Sequence, residues 1–407
     1  MSKTVWIVNQ YASTPTAGMG GRHYYLAREL AKQGYNVYLI ASSANHLLRE
    51  QQVFDGTFKL EEVEGFTFVW VRMPKYEEAH SKQRAINWFL FPWRLQKLRK
   101  VISDVPDAIL CSSPSPIAFL GAQRLAKKFQ ARLLFEVRDI WPLTLTEIGG
   151  YSPSHPFIRL MQWVEDKAYR DSDQVISNLK NAVEHMASRG MNREKFTWVP
   201  NGFSMDEVSL GTPLNERTAS QVPSGKFLVG YTGTIGVANA LETFLQAAEQ
   251  LLEYSEIVFV LVGGGKEKDA LQKIASKKKL INVHFIDSIP KVEIQAVLSR
   301  FDVCYIGLTK DPLFKFGVSP NKLFDYFYSS KPIVYAIDSG DYKPVAVSQS
   351  GIEVPAEDAA ALAGAIVKLY QMSPLERQAM GDNGRKEAVE RYEYGQLALS
   401  LAEKLFN

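Results

Sequence analysis

Val5-Trp6-Ile7-Val8, then the loop Ala17-Gly18-Met19-Gly20-Gly21, then Arg22–Gln33 closed by Gly34, then Val37–Ala41: this stretch decides the fold. A short apolar run has the length of a buried strand, and the longer segment after it has the length of a helix. A strand, a glycine-rich loop, a helix and a second strand make one βαβ unit, which places the two strands parallel. Glycines in such a loop let backbone amides approach an anion at the helix N-terminus, where the helix dipole favours negative charge. The spacing is not the dinucleotide fingerprint, because no glycine follows at the third position after Gly20.

The rhythm continues outward from this unit. Thr57–Val71 alternates like a hairpin turning at Glu64-Gly65, and Ala108–Cys111, Leu133–Val137 and Gln174–Ser177 read as further strands. Val199-Pro200-Asn201-Gly202 ends this half, and some twenty polar residues after it read as a linker. The pattern then restarts, with strands at Phe227–Thr232, Ile257–Val262, Val283–Ile286, Val303–Gly307 and Pro332–Ala336. Two such blocks imply two doubly wound α/β domains. A faint internal echo supports this, since Asp173 and Asp302 each stand between a helix end and a strand start. The length of 407 residues suits two cores better than one.

Composition narrows the class. The formal net charge of +3 argues against a dedicated nucleic-acid binder. Cys111 and Cys304 lie in β-like runs of different halves and read as buried thiols of a reducing compartment, so a cytoplasmic location is expected. No apolar stretch approaches the length that spans a bilayer, and the start is too short for a signal peptide. His23, His46, His80, His155, His185 and His284 have no metal-like spacing. Asp171-Ser172-Asp173 reads as turn and capping chemistry on the side of the sheet away from a ligand.

Ligands of such sheets sit at the C-terminal ends of the strands. Two small-residue loops lie there in the second half, Gly233-Thr234-Ile235-Gly236-Val237-Ala238-Asn239 and Gly263-Gly264-Gly265. The sharpest segment is Phe316-Gly317-Val318-Ser319-Pro320-Asn321-Lys322-Leu323-Phe324-Asp325-Tyr326. Ser319 is expected to cap a helix with Pro320 in its first position. Lys322 would then stand at the positive end of that helix, where a cation is unfavourable unless an anion offsets it. Lys322 and Asp325 are three apart and share a face: a lysine for phosphate and a carboxylate for ribose hydroxyls, or else a surface ion pair.

This segment resembles the C-terminal donor-site signature of family 4 glycosyltransferases. Phe135-Glu136-Val137-Arg138-Asp139-Ile140-Trp141-Pro142 resembles the strand and loop beneath their acceptor cleft, and Val199-Pro200-Asn201-Gly202 resembles their interdomain crossover. The combination is similar to bacterial O-antigen or capsule enzymes of the L-fucosamine transferase type and covers essentially the whole chain. The resemblance implies a GT-B fold: two Rossmann-like domains facing across a cleft, residues 1–205 for the acceptor and 206–391 for the donor, with a terminal helix, 392–407, packing back on the first. It implies a retaining transfer from a nucleotide-sugar to a polyprenyl-diphosphate-linked or other glycan acceptor, without cofactor or obligatory metal. Asp139 and Lys322 are the expected catalytic residues. Gly20, Gly21, Gly233, Thr234, Gly236, Gly263, Gly264, Ser319, Asn321, Lys322 and Asp325 are expected to bind the donor.

Three features depart from the family pattern, one being the Arg and Lys pair usual beyond the first strand of the second domain, which Gly233–Asn239 lacks. The family's two glutamates separated by seven residues become Gly317 and Asp325 here, and Arg138 stands where many relatives carry histidine. Alternative classes are a non-hydrolysing nucleotide-sugar epimerase, which needs acid/base groups near the sugar, and a catalytically inactive sugar-nucleotide binding protein. Finally, Lys82–Lys100 contains no acidic residue and mixes aromatics with cations. Trp88, Trp93 and Arg94, with Arg138, are expected to meet the acceptor or the inner face of the cytoplasmic membrane. Pro92 is expected to break this segment into an apolar loop and a basic helix. Asp139 is expected to serve in the cleft, to cap a helix at Pro142, or both.

Overall fold

In the computed structural model, residues 2–76 and 82–407 are described, so His80 lies outside the described residues. The chain divides into two compact units, Met1–Asn201 with Tyr394–Asn407, and Gly202–Glu393.

The first unit is built on an eight-stranded sheet. Its strands are β1 Thr4–Val8, β2 Asn36–Ser42, β3 Phe58–Val63, β4 Phe66–Val71, β5 Ala108–Ser112, β6 Arg132–Val137, β7 Gln174–Ser177 and β8 Phe196–Trp198. They lie in the order β3-β4-β2-β1-β5-β6-β7-β8, all parallel except the edge strand β3. β3 and β4 form the expected hairpin, with Glu64 and Gly65 both at positive φ as a tight two-residue turn requires. β1, β4 and β5 are buried throughout, as strands covered on both faces must be. The helix Arg22–Lys32 and the terminal helix Tyr394–Phe406 cover one face, where Tyr25 stacks on Tyr394 and Tyr35 on Phe406.

The second unit carries β9 Phe227–Thr232, β10 Ile257–Val262, β11 Val283–Ile286, β12 Val303–Gly307, β13 Ile333–Ala336 and β14 Gly351–Val354, in the parallel order β11-β10-β9-β12-β13-β14. Phe244 links the helix Leu241–Gln250 to this sheet, stacked on Tyr305 and edge-on to Phe259. In both units the first strand lies between two neighbours reached by crossovers in opposite directions, the topological switch point where a ligand crevice forms.

The echo noted around Asp173 and Asp302 has a structural cause. Asp173 accepts the Leu133 amide and donates its own to Leu133 O; Asp302 does the same with Leu228. Asp107 repeats the arrangement with Thr4. Each carboxylate locks the register of two neighbouring parallel strands at their N-terminal edge, opposite the edge that carries ligands. Asp171, for its part, is held by Gln123 and Lys167. Cys111 and Cys304 are free and buried.

Two expectations need correction. The polar stretch after Gly202 is not structureless: it contains the short helices Met205–Ser209 and Glu216–Gln221, each with a side-chain cap from Ser204 or Asn215. Pro92 does not break its segment. Lys82–Leu95 is one helix with Pro92 inside it, and Pro92 packs so closely on Gly121 that a Cβ there would approach its backbone to 2.7 Å. Tertiary packing holds this helix through a residue that would end it in isolation.

Candidate active site

In the second unit, three loops and a helix start converge at the C-terminal edge of the sheet. The Gly233 amide donates to Val262 O and the Ile235 amide to Gly264 O, so the loops after β9 and β10 run against each other backbone to backbone. A Cβ on Gly263 would lie 1.9 Å from Gly233 O, and one on Gly265 2.2 Å from Ile235 O. Gly263 is therefore explained by this packing, without a ligand. The loop after β12 joins through Thr309, whose amide donates to Ala238 O. The helix Asn321–Tyr328 is anchored beneath by Tyr326, whose hydroxyl accepts the Thr232 amide at the end of β9.

One turn before Tyr326, Lys322 projects over the Gly233 loop. Its Nζ donates to the Tyr231 hydroxyl at 2.7 Å and to Asn239 Oδ1 at 2.8 Å, and lies 4.2 Å from the centre of the Tyr231 ring. Tyr231 and Asn239 are oriented for this, because each also donates to Thr234 O. No carboxylate of the described residues pairs with Lys322. Desolvation lowers its pKa to about 7. In its protonated form, the cation held by two neutral acceptors retains a third N–H to offer an anion, and a bound anion favours that form. Gly233 leaves room for this: a Cβ there would touch the lysine at 3.5 Å. Gly236 has only the Thr234 methyl near it.

One expectation is corrected here, and the surroundings of Asp325 and Gly317 become clear. Ser319 is not the N-cap of the helix: Pro320 holds that position and makes no side-chain cap bond. Lys322 and Asp325 do not form a pair. Asp325 turns to Lys291, whose Nζ donates to both carboxylate oxygens at 2.8 and 2.6 Å. Gly317, where the resembling family has its first glutamate, has φ 92°, in the region that favours glycine. A glutamate would be strained in that backbone.

The first unit holds a polar cluster beneath its glycine loop that sequence reasoning missed. Glu136, buried near the end of β6, accepts from Arg22 Nε at 2.8 Å, from His23 Nε2 at 2.5 Å and from Ser112 Oγ at 2.5 Å. Asn9 Oδ1 accepts the Tyr11 amide, which turns Asn9 Nδ2 toward His23 Nδ1 at 2.8 Å. His23 Nδ1 is thereby the acceptor and Nε2 carries the proton given to Glu136, the neutral tautomer. Burial lowers the His23 pKa despite Glu136. Burial would raise the Glu136 carboxyl, but His23 and Arg22 outweigh it and hold it well below the carboxylate range. Arg22 Nη1 also donates to Pro200 O, while Arg22 Nη2 is buried without a partner. His23, which the sequence shows only as one of six histidines without metal-like spacing, is part of this network. The signal was available: an acidic residue inside the apolar run Leu133–Val137 must be paired.

The cluster fixes the start of the helix Arg22–Lys32. Its N-cap Gly21 has φ 86°, makes no side-chain cap bond and faces open space, and Gly20 has φ 65°. Asp139 does not cap the helix Leu143–Glu147, which has Pro142 as N-cap and no side-chain cap bond. The Asp139 carboxyl makes no hydrogen bond to another described residue. Desolvation raises its pKa against the opposing charge of Arg138, though the residue is exposed and solvent limits that penalty. Arg138 gives its amide to Ser113 Oγ, and its Nε is buried without a partner.

Trp88 is corrected from a surface to a core residue. It is buried, donates to the Tyr11 hydroxyl at 2.8 Å and stacks on Phe157. Trp93 is exposed, with Lys97 Nζ 4.2 Å from its ring centre. Arg94 is half-buried.

Comparison with known proteins agrees with this architecture. A family model described as Glycosyltransferase Family 4 matches residues 17–207, and one described as Glycosyl transferases group 1 matches residues 226–372. The Escherichia coli K12 protein WcaI, named for a glycosyl transferase of colanic acid biosynthesis, is 23% identical over 311 residues, 73% of this chain and 74% of that protein. Among solved structures, sucrose-phosphate synthase from Thermosynechococcus elongatus superimposes with TM-score 0.70 at 17% identity, covering 98% of each chain. Anabaena Alr3699/HepE in complex with UDP and glucose superimposes with TM-score 0.62 at 13% identity, again over 98% of each chain. These likenesses show a shared fold, and the two family models span the core of both units in the same order. The chain is a GT-B glycosyltransferase of family 4.

Proposed function

We propose that this enzyme moves a sugar, with retention of anomeric configuration, from a nucleotide-sugar donor to a lipid-linked glycan during surface polysaccharide assembly. The observation that carries the donor is Lys322, a desolvated cation without a carboxylate partner, above glycine loops at the C-terminal edge of the second sheet. A donor diphosphate supplies the missing anion, and Asp325, one turn further along the same helix, would meet the ribose hydroxyls only by sharing its carboxylate with Lys291. Support for a uridine diphosphate donor comes from HepE, solved with UDP and glucose. Support for a polysaccharide pathway comes from the name of WcaI.

The reading assigns the acceptor to the first unit. The acceptor hydroxyl attacks the anomeric carbon on the face the diphosphate leaves. The bond to the phosphate oxygen breaks, and that oxygen takes the hydroxyl proton. Lys322 neutralises the departing charge. Asp139 accepts a hydrogen bond from the acceptor and orients it, and the amides after Gly20 and Gly21 face an anion. No helix of the described residues is long and apolar enough to cross a membrane. A lipid-linked acceptor would be met at the bilayer surface, through the exposed row Ile86, Phe89 and Trp93.

The test is purified enzyme with a panel of nucleotide sugars and acceptors, with the product configuration read by NMR. Transfer with retention, lost in Lys322→Ala, is expected. Isomerisation of the donor, or binding without turnover, would refute the reading. Flotation on anionic vesicles, lost in Trp93→Ala with Phe89→Ala, tests the membrane part.

A further inference from the structure

We propose that the first unit carries a separate anion site, built by Arg72, Lys75 and Arg94, that takes a phosphate or diphosphate group. Arg72 and Lys75 follow β4 at the ligand-bearing edge of the sheet, and Arg94 comes from the last turn of the helix Lys82–Leu95. Together with Ser43, Gln52 and Phe54 they line a pocket of about 410 Å³, large enough for a diphosphate. None of the described residues lining it is acidic.

Arg72 and Lys75 are exposed, and three observations centred on Arg94 point to a ligand. Arg94 is half-buried and its Nη1 is buried without a hydrogen-bond partner. Its pKa is lowered first by desolvation and then by the charge of Arg72, so two guanidinium groups repel each other across the pocket. None of the three cations makes a side-chain hydrogen bond or ion pair with another described residue. A folded chain that places like charges together, one of them desolvated, leaves an unfavourable field that an anion removes. Guanidinium forks match phosphate oxygens in pairs, which fits phosphate better than a carboxylate-free apolar ligand. The flanking Val53, Met73 and Pro74 give the pocket an apolar wall. If the assignment of the acceptor to this unit holds, the group bound is the diphosphate of the lipid-linked acceptor; otherwise it is free phosphate.

The test uses the full chain saturated with a nucleoside diphosphate, so that the Lys322 site is filled, and titrates inorganic pyrophosphate by calorimetry. Binding to the wild type is expected, weakened about tenfold or more in Arg72→Gln with Arg94→Gln, weakened less in Arg94→Lys, which keeps the charge but loses the fork, and unaffected by Lys322→Ala. Equal pyrophosphate binding in the wild type and the double variant overturns the site. The source is read from transfer assays with a glycan carrying or lacking a diphosphate. A KM raised only for the diphosphate-bearing acceptor identifies the acceptor. Unchanged KM for both, with pyrophosphate binding still lost in the double variant, assigns the site to free phosphate. Donor affinity, measured separately in Lys322→Ala, reports on the donor reading and is independent of either result.

Discussion

Glu136 in the first unit and Lys322 in the second are both charged side chains taken out of water near the C-terminal edge of a parallel sheet, and their surroundings are opposite. Glu136 is saturated: a guanidinium, an imidazole N–H and a hydroxyl all point at its two oxygens. Lys322 has two neutral acceptors and an aromatic face, and no opposite charge. A buried charge paired in this way holds structure, because both of its oxygens already have donors. A desolvated charge without a counter-ion stores the means to bind one. The first unit thus spends its buried polar groups on shaping a loop, and the second leaves one of its own open.

The comparison breaks most visibly if Glu136 proves dispensable. Glu136→Ala leaves Arg22 buried without its partner, and a loss of about 3–5 kcal/mol is expected in denaturant unfolding of the first unit. A change below about 1 kcal/mol would mean that water reaches the cluster and that it is not structural.

Lys322→Ala should show the reverse pattern. Thermal stability should barely change, since removing an uncompensated charge also removes its desolvation penalty. Affinity for a nucleoside diphosphate should fall by about 1.5–3 kcal/mol in calorimetric titration. Strong destabilisation with unchanged affinity would make Lys322 a structural plug.

The pH dependence sharpens the same contrast. With the folded pKa of Lys322 lowered to about 7 from an ordinary 10.5, the unfolded chain binds more protons between those values. The contribution of this group to stability therefore improves as pH rises from about 7 to 10.5, and its penalty is complete below that window. The bound diphosphate favours the protonated lysine, so affinity should weaken above pH 7 by up to about 1.4 kcal/mol per pH unit. Proton uptake on binding, read from titrations in two buffers of different ionisation enthalpy, measures it directly. Uptake equal to that of Lys322→Ala would remove Lys322 from the site.

The smallest effect belongs to Gly317. Gly317→Glu restores the residue expected from the family but places it at φ 92°. A stability loss of about 1 kcal/mol is expected from backbone strain, without a gain in turnover. Higher turnover would show that the loop can adapt and that the missing glutamate limits the enzyme.

Much of the fold was legible because its signal is local and repeated. Most strands are short apolar runs, Gly65 suits the positive φ of its turn, and the second block restarts the same pattern. Lys322 was legible for the same reason, standing in the first turn of a helix where its own sequence argues against it. The partners were not. Lys322 and Asp325 share a helical face by spacing, yet Tyr231 and Asn239 capture the lysine from 91 and 83 residues away, and Lys291 captures the aspartate from 34.

The sequence by itself determined two parallel α/β units, their C-terminal strand edges and the lysine at the second of them, because hydrophobic period and loop chemistry are properties of neighbouring residues. Tertiary structure alone decided that Glu136 collects Arg22 and His23, that Pro92 lies inside a helix, that Trp88 is core while Trp93 is not, and that Arg94 and Arg72 line one pocket. Those outcomes depend on which distant groups share a low-dielectric space, and pairing, burial and repulsion act across that space with no regard for separation along the chain.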